Sequence, residues 1–260
     1  MYQVARHVKH ALCRGAFRIC RAGLRAAGAV PLSTILILGH MRSGSTLLLH
    51  ILLTHPEIIG CGERNAAYHS ADELDRLAMA ARLDQFRLFK SFRYVVDQIN
   101  HDRFTPCEEL LQHPQIRLIF LTREPPTAIS SIVNLSRTFY DGGLVEEAAD
   151  YYEQRLRTLA RYSENLPRHV RALRLTYREL VEHTSHTFER LQDFLALKTG
   201  FTEQYDLQQF TGHRGDPAEK IQAGTIVRDG VGTQVELPAG TLDRAWQSYY
   251  ACQQAMERFA

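Results

Sequence analysis

The segment Thr34-Ile-Leu-Ile-Leu38, running into Gly39-His-Met-Arg-Ser-Gly44 and then Ser45 to Thr54, constrains the fold more than any other part of the chain. A short apolar run rich in β-branched residues reads as a strand buried on both faces, as in a parallel sheet. The apolar helix after it, Ser45 to Thr54, stops before Pro56. A strand, a glycine-bounded loop and a helix start together form an anion site. Backbone N–H groups converge there, and the helix dipole favours negative charge. The spacing Gly39-x4-Gly44-Ser45-Thr46 is that of a Walker A loop, with Ser45 where the lysine would stand and Arg42 as the cation inside the loop.

The same alternation continues along the chain. Phe86 to Phe89 reads as a weaker strand, Ile116 to Thr122 as a strong one, and Val170 to Tyr177 as another. Helical spacing covers Pro125 to about Arg137, Leu144 to Ser163, Thr184 to Leu195, and Thr241 to Phe259. The stretch Gly212 to Gly240, rich in Gly, Pro and Asp, reads as a long loop. Alternating strands and helices define an α/β protein, a P-loop-type three-layer sandwich with a central parallel sheet flanked by helices. Residues 31–260 are expected to form a single domain, preceded by a basic segment over residues 1–30.

Charge bears on partners only once it is divided. The 260 residues hold 31 Lys and Arg against 29 Asp and Glu, a net of +2. Residues 1–30 carry six of the basic residues and no acidic one, which leaves 25 against 29 in the body. An acidic body argues against a nucleic-acid partner. Val4, Val8, Leu12, Ala16 and Ile19 place an apolar stripe on a basic helix over residues 4–25. Packing on the domain is the expected role, with peripheral membrane contact or an organelle transit peptide as alternatives. The uncharged stretch Ala26 to Met41 is too short to span a bilayer and holds Pro31. Five scattered cysteines without a CxxC pair suit reduced thiols, so a cytoplasmic location is expected. Twelve histidines without metal-binding spacing imply no metal site.

The strand Ile116 to Thr122 separates nucleotide classes. Triphosphatases usually end a neighbouring strand in an Asp that holds Mg²⁺; this one ends in Thr122-Arg123. Without the lysine and the Asp, a magnesium nucleoside triphosphate is disfavoured. A metal-free nucleotide, held by Arg, Ser, Thr and backbone amides, fits better.

These motifs resemble those of sulfotransferases that use 3′-phosphoadenosine 5′-phosphosulfate (PAPS). His40-Met-Arg-Ser-Gly-Ser-Thr46 is similar to the family's 5′-phosphosulfate loop, which implies that Arg42, Ser43, Gly44, Ser45 and Thr46 hold the 5′ end. Arg123-x7-Ser131 resembles its 3′-phosphate site, and Tyr177-Arg-Glu-Leu180 the element whose tyrosine touches the adenine. The resemblance covers roughly residues 33–255.

His55-Pro56 leading to Gly62-Glu63 is similar to the branch containing tyrosylprotein, bacterial and carbohydrate enzymes, which implies Glu63 as the base. A solvated loop glutamate, or a salt bridge from Glu63 to Arg64, is the plainer alternative. The resemblance places Lys90 near the transferring group, with a surface lysine as the alternative. The cytosolic branch has Lys-Thr-His there, whereas this chain has Lys90-Ser91-Phe92, which further favours Glu63. Arg228-Asp-Gly stands where that family has Arg-Lys-Gly in its closing segment, so Arg228 holds the 3′-phosphate or its loop covers the acceptor.

The implied reaction is metal-free, in-line transfer of a sulfuryl group from PAPS to a hydroxyl or amine. Arg42 and Lys90 would stabilise the developing charge. Segments Arg64–Asp84 and Phe139–Leu144, with the late loop, are expected to wall an acceptor that is a small molecule or saccharide. A P-loop kinase of a small metabolite and a non-catalytic nucleotide-binding module remain the alternatives.

Overall fold

The computed structural model describes residues 23, 32–87, 90–139, 145–209, 211, 219–228 and 234–260. Apart from Gly23, the helix expected over residues 4–25 lies outside them, as do Gly215-Asp-Pro217 and Asp229-Gly230 of the late loop. Five strands form one parallel sheet: β1 (Ser33–Gly39), β2 (Ile58–Gly60), β3 (Tyr94–Ile99), β4 (Ile116–Thr122) and β5 (Ala172–Thr176). Their order across the sheet is β2-β3-β1-β4-β5. Among the described residues the helices are α1 (Ser45–Thr54), α2 (Ala71–Asp84), α3 (Glu108–Leu111), α4 (Pro125–Phe139), α5 (Val145–Asn165), α6 (Tyr177–Glu182), α7 (Thr184–Leu195), α8 (Glu219–Gln222) and α9 (Ala239–Ala255). None of them is long and apolar enough to cross a membrane.

The sheet alternation sorts the core into two layers. Leu36, Leu38, Val95 and Phe120 face Leu77, Ile129, Leu156 and Cys252, from α2, α4, α5 and α9. Ile35, Ile37, Val96 and Leu121 face Leu48, Leu52, Leu180 and Leu191, from α1, α6 and α7. This is the expected three-layer sandwich with a parallel centre. β1 lies in the middle, buried on both faces, which accounts for its uninterrupted apolar run.

The expected strand at Phe86 to Phe89 is displaced. Phe86 instead follows α2 with φ 53°, and Arg87 bonds back to the Arg82 carbonyl, while residues 88–89 lie outside the described set. The real strand is Tyr94-Val-Val-Asp-Gln-Ile99, which aligns Tyr94 with Ser33 and Ile99 with Leu38. Its buried Asp97 and Gln98 interrupt the apolar pattern, which is why its periodicity misleads. This corrects the position of Lys90. It precedes β3 at the amino edge of the sheet, exposed, with its ammonium 5.2 Å from the Phe92 ring centroid, whereas the glycine loop leaves from the carboxyl edge.

The chain runs from β1 outward to β2 and back to β3, then crosses to β4 and β5. Connections therefore leave β1 and β4 in opposite directions, and the carboxyl ends of those neighbours open a crevice at the point where ligands bind in such sheets. Helix α5 ties these ends together. Arg155, 1% exposed, donates from Nε to the Gly39 carbonyl and from Nη2 to the Ile99 carbonyl, both at 2.7 Å. Its Nη1 meets Asp102 Oδ1 at 2.7 Å. Replacing Arg155 by Met leaves two buried carbonyls without donors, each costing about 1–3 kcal/mol. Urea denaturation of Arg155→Met is expected to show a loss of at least about 2 kcal/mol.

Candidate functional site

The loop that leaves β1 is held from three sides. His40 is fully buried, with its Nε2 accepting the Arg123 N–H at 3.1 Å. Its other nitrogen therefore carries the proton and donates to the Met41 carbonyl at 2.8 Å. Burial, outweighing that backbone bond, pulls the imidazole pKa down to about 3, and the charges of Arg123 and Arg155 act in the same direction. A neutral histidine thus locks the loop to the end of β4. The Met41 N–H donates to Tyr151 Oη at 2.8 Å, and that hydroxyl donates to the Asn100 carbonyl at 2.6 Å.

Two positions in the loop have left-handed backbone. Gly44, at φ 94°, begins α1, and a Cβ there would stand 2.5 Å from a Tyr177 ring carbon. Only glycine permits that approach. Arg42, at φ 65°, adopts a conformation that costs a non-glycine residue of order 1–3 kcal/mol. In it, Arg42 Nε donates to Ser131 Oγ at 2.8 Å. Ser43, Ser45 and Thr46 are buried, and among the described residues the Ser43 hydroxyl has no partner.

The end of β4 supplies the second half. Arg123 donates through Nε to Thr127 Oγ1 at 3.0 Å and through Nη1 to the Arg42 carbonyl at 3.3 Å. Its guanidinium carbon stands 4.3 Å from the centroid of the Tyr177 ring, in cation–π geometry. Tyr177 is fixed as the first residue of α6 by a capping box. Thr176 Oγ1 accepts the Glu179 N–H at 3.1 Å, and Glu179 Oε2 accepts the Thr176 N–H at 2.7 Å. Arg42, Gly44, Arg123, Ser131 and Tyr177, separated by up to 135 positions in sequence, converge at one crevice.

Glu63 follows β2 at the same edge. Asn100 Nδ2 donates to its Oε1 at 3.3 Å, and the Gln98 side chain adds a second bond. Burial raises its pKa above the ordinary carboxylate value, outweighing both hydrogen bonds and the Arg103 charge. A carboxylate whose pKa is raised in this way is a stronger base than an ordinary one. No ion pair links it to Arg64, whose guanidinium instead meets Cys61 Sγ at 3.5 Å.

Arg228 is held by other partners in the structure. Both its terminal nitrogens pair with Glu203, at 2.5 and 2.8 Å, while Nε donates to the Val181 carbonyl at 3.1 Å. Periodicity alone missed Asn100, Tyr151, Tyr152 and Arg155. Tyr152 packs in the core, yet its hydroxyl also donates to the Arg123 carbonyl at 2.7 Å. His101, just after β3 and half-buried, also stands at this edge; burial and then the Arg103 charge lower its pKa.

This fold and site define an α/β domain with a phosphate-type loop facing two arginines at the switch point. A family model described as the sulfotransferase family matches residues 108–203, which include Arg123, Ser131 and Tyr177 but not the glycine loop. The fold is similar to that of the sulfotransferase domain from the Synechococcus PCC 7002 olefin synthase. The TM-score is 0.57 and the identity 18%, over 84% of this chain and 95% of that one. No curated protein matches the chain significantly. The chain thus has the fold of a sulfotransferase domain, and the resemblance carried by its motifs is met by an independent family model. Fold and family model together support a sulfotransfer activity.

His40 gives a pH test of the loop. The unfolded chain binds a proton near 6.5 that the folded form refuses until about 3. Its contribution to stability is therefore complete above pH 6.5 and is lost as pH falls toward 3. Asp97, buried and raised from 3.8 to about 7, slopes the other way, losing stability as pH rises through that range. His40→Asn keeps an acceptor and a donor, so its denaturation midpoint is expected to fall less between pH 6.5 and 4 than that of the parent.

Proposed function

We propose that the protein transfers a sulfuryl group from PAPS to the hydroxyl of a small molecule or saccharide, with Glu63 as general base. The observation that carries this reading is the convergence of Arg42, Arg123, Ser131 and Tyr177 on the Gly39–Gly44 loop, with the half-buried Glu63 carboxylate just after β2 at the same edge of the sheet. The residues fit such a donor. Ser43 offers a buried hydroxyl with no partner among the described residues, and Gly44 lies at the start of a ten-residue helix. Bound PAPS supplies the sulfuryl group and, as the leaving group, adenosine 3′,5′-bisphosphate.

Each residue then has a distinct task. Ser43, Gly44, Ser45 and Thr46 present hydroxyls and backbone N–H groups to the 5′-phosphate. Arg123 and Ser131 hold the 3′-phosphate, and Tyr177 offers its ring to the adenine. Arg42 stabilises charge that grows on the transferring oxygens. Glu63 takes the acceptor's proton as the new S–O bond forms. Lys90 and Arg228, placed as described, have no part in it.

Release of adenosine 3′,5′-bisphosphate from PAPS, in the presence of a panel of hydroxyl acceptors and EDTA, tests the reading. Turnover is expected to persist in EDTA and to fall roughly 100-fold or more in Glu63→Gln, the usual contribution of a positioned base. Its loss is expected to be in kcat, because Glu63 touches no group assigned to the donor. In the parent, activity should fall as pH drops through the raised Glu63 pKa, since only the ionised form accepts a proton, and Glu63→Gln should lose that dependence. Unchanged kcat in Glu63→Gln would remove it as base; the pH dependence of His101→Gln would then show whether that ring takes the role.

A further inference from the structure

Asp97 is the one carboxylate buried in the middle of a strand among the described residues, and nothing in the transfer step uses it. It lies on β3 opposite Leu36 of β1, fully buried on the face covered by α2 and α5. Its oxygens are taken by three donors. Tyr68 Oη donates to Oδ2 at 2.5 Å, the Gln98 N–H donates to Oδ1 at 2.9 Å, and the Arg64 N–H reaches Oδ1 at 3.3 Å. The charged or titratable groups facing it, Arg64, Tyr68 and Cys61, all come from the segment after β2; Leu36 is apolar.

The third of these donors is the peptide that follows Glu63. The chain leaves β2 through Cys61 and Gly62, which has φ 86°, so the turn has no regular structure of its own to fix it. Contacts from β3 and the residue after it do so, Gln98 among them. Asp97 holds the backbone at Arg64, and Asn100 holds the Glu63 side chain. A buried carboxylate without such partners would cost several kcal/mol, so its partners are obligatory and the turn is bound in return.

We propose that Asp97 is a positioning residue that, through the Arg64 amide, fixes the Glu63 turn and so aims the Glu63 carboxylate at the crevice. The assignment rests on the reading of Glu63 as base, but its geometry can be tested without activity. Asp97→Leu removes the acceptor at similar size, whereas Asp97→Asn keeps an oxygen for the Arg64 amide. In Asp97→Leu, hydrogen exchange at the Arg64 amide should accelerate at least tenfold while β1 and β4 stay protected. Its kcat should fall roughly tenfold or more with the KM for PAPS unchanged, as expected when a reacting group is displaced by a fraction of an ångström to an ångström. Asp97→Asn should restore most of both.

A merely structural role would instead lower stability and donor binding together in both variants, with exchange at Arg64 no faster than elsewhere; that result overturns the proposal. If Asp97→Leu does not fold, Asp97→Ala removes the same acceptor without adding bulk. Activity of Glu63→Gln decides the base separately. Should that variant keep full kcat, the base reading falls, while the exchange at Arg64 still decides whether Asp97 fixes the turn.

Discussion

Arg155 reaches from α5 to the carbonyls that end β1 and β3, and the arrangement of the site depends on that reach. The carbonyls that end the strands lie at the carboxyl edge of the sheet, beside the crevice. A buried guanidinium satisfies two of them from below and leaves the loop above to present N–H groups. Tyr151 and Tyr152 extend the same fastening, one joining Met41 to Asn100 and the other bonding the Arg123 carbonyl. One face of one helix therefore sets the relative positions of three strand ends. The functional side chains attached to those ends inherit that order.

Electrostatics follow from this frame. The body of the chain carries more acidic than basic residues, so its net charge attracts no anion in particular. Arg42 and Arg123 concentrate positive charge at one place, and the ring of Tyr177 lies under one of them. His40, between them and buried, stays neutral, which lets it accept the Arg123 amide without adding a third cation. On the other side, Glu63 and Asp97 are both raised by burial, yet they differ in access. Glu63 is half-buried beside the crevice, whereas Asp97 is sealed beneath it. Two carboxyls, one just past the end of β2 and one inside the adjoining β3, thus suit different tasks.

Much of this was legible in the sequence because it rests on local chemistry. β1 and α1 are dominated by apolar residues, and the two glycines bound a loop of fixed length. The strand at Tyr94–Ile99 was not legible, since its two polar residues are explained only by partners from distant segments, Tyr68 and Arg64 for Asp97. The misplacement of Lys90 followed directly from that strand. Arg228 shows a different limit. A motif position predicts a ligand contact only if no closer anion competes, and Glu203 does compete. The fastening by Arg155 was also hidden, because an arginine amid helical spacing reads as a solvated face until its carbonyl partners are known.

The central claim is that the crevice between β1 and β4 holds a nucleotide bearing a 3′-phosphate, without a metal. Calorimetric titration of adenosine 3′,5′-bisphosphate in EDTA, set against ADP with Mg²⁺, tests it most directly. The account predicts that the bisphosphate binds at least tenfold more tightly, a difference of about 1.4 kcal/mol, and that Arg123→Ala abolishes the preference. Tighter binding of ADP with Mg²⁺, or a preference that survives in Arg123→Ala, would contradict it.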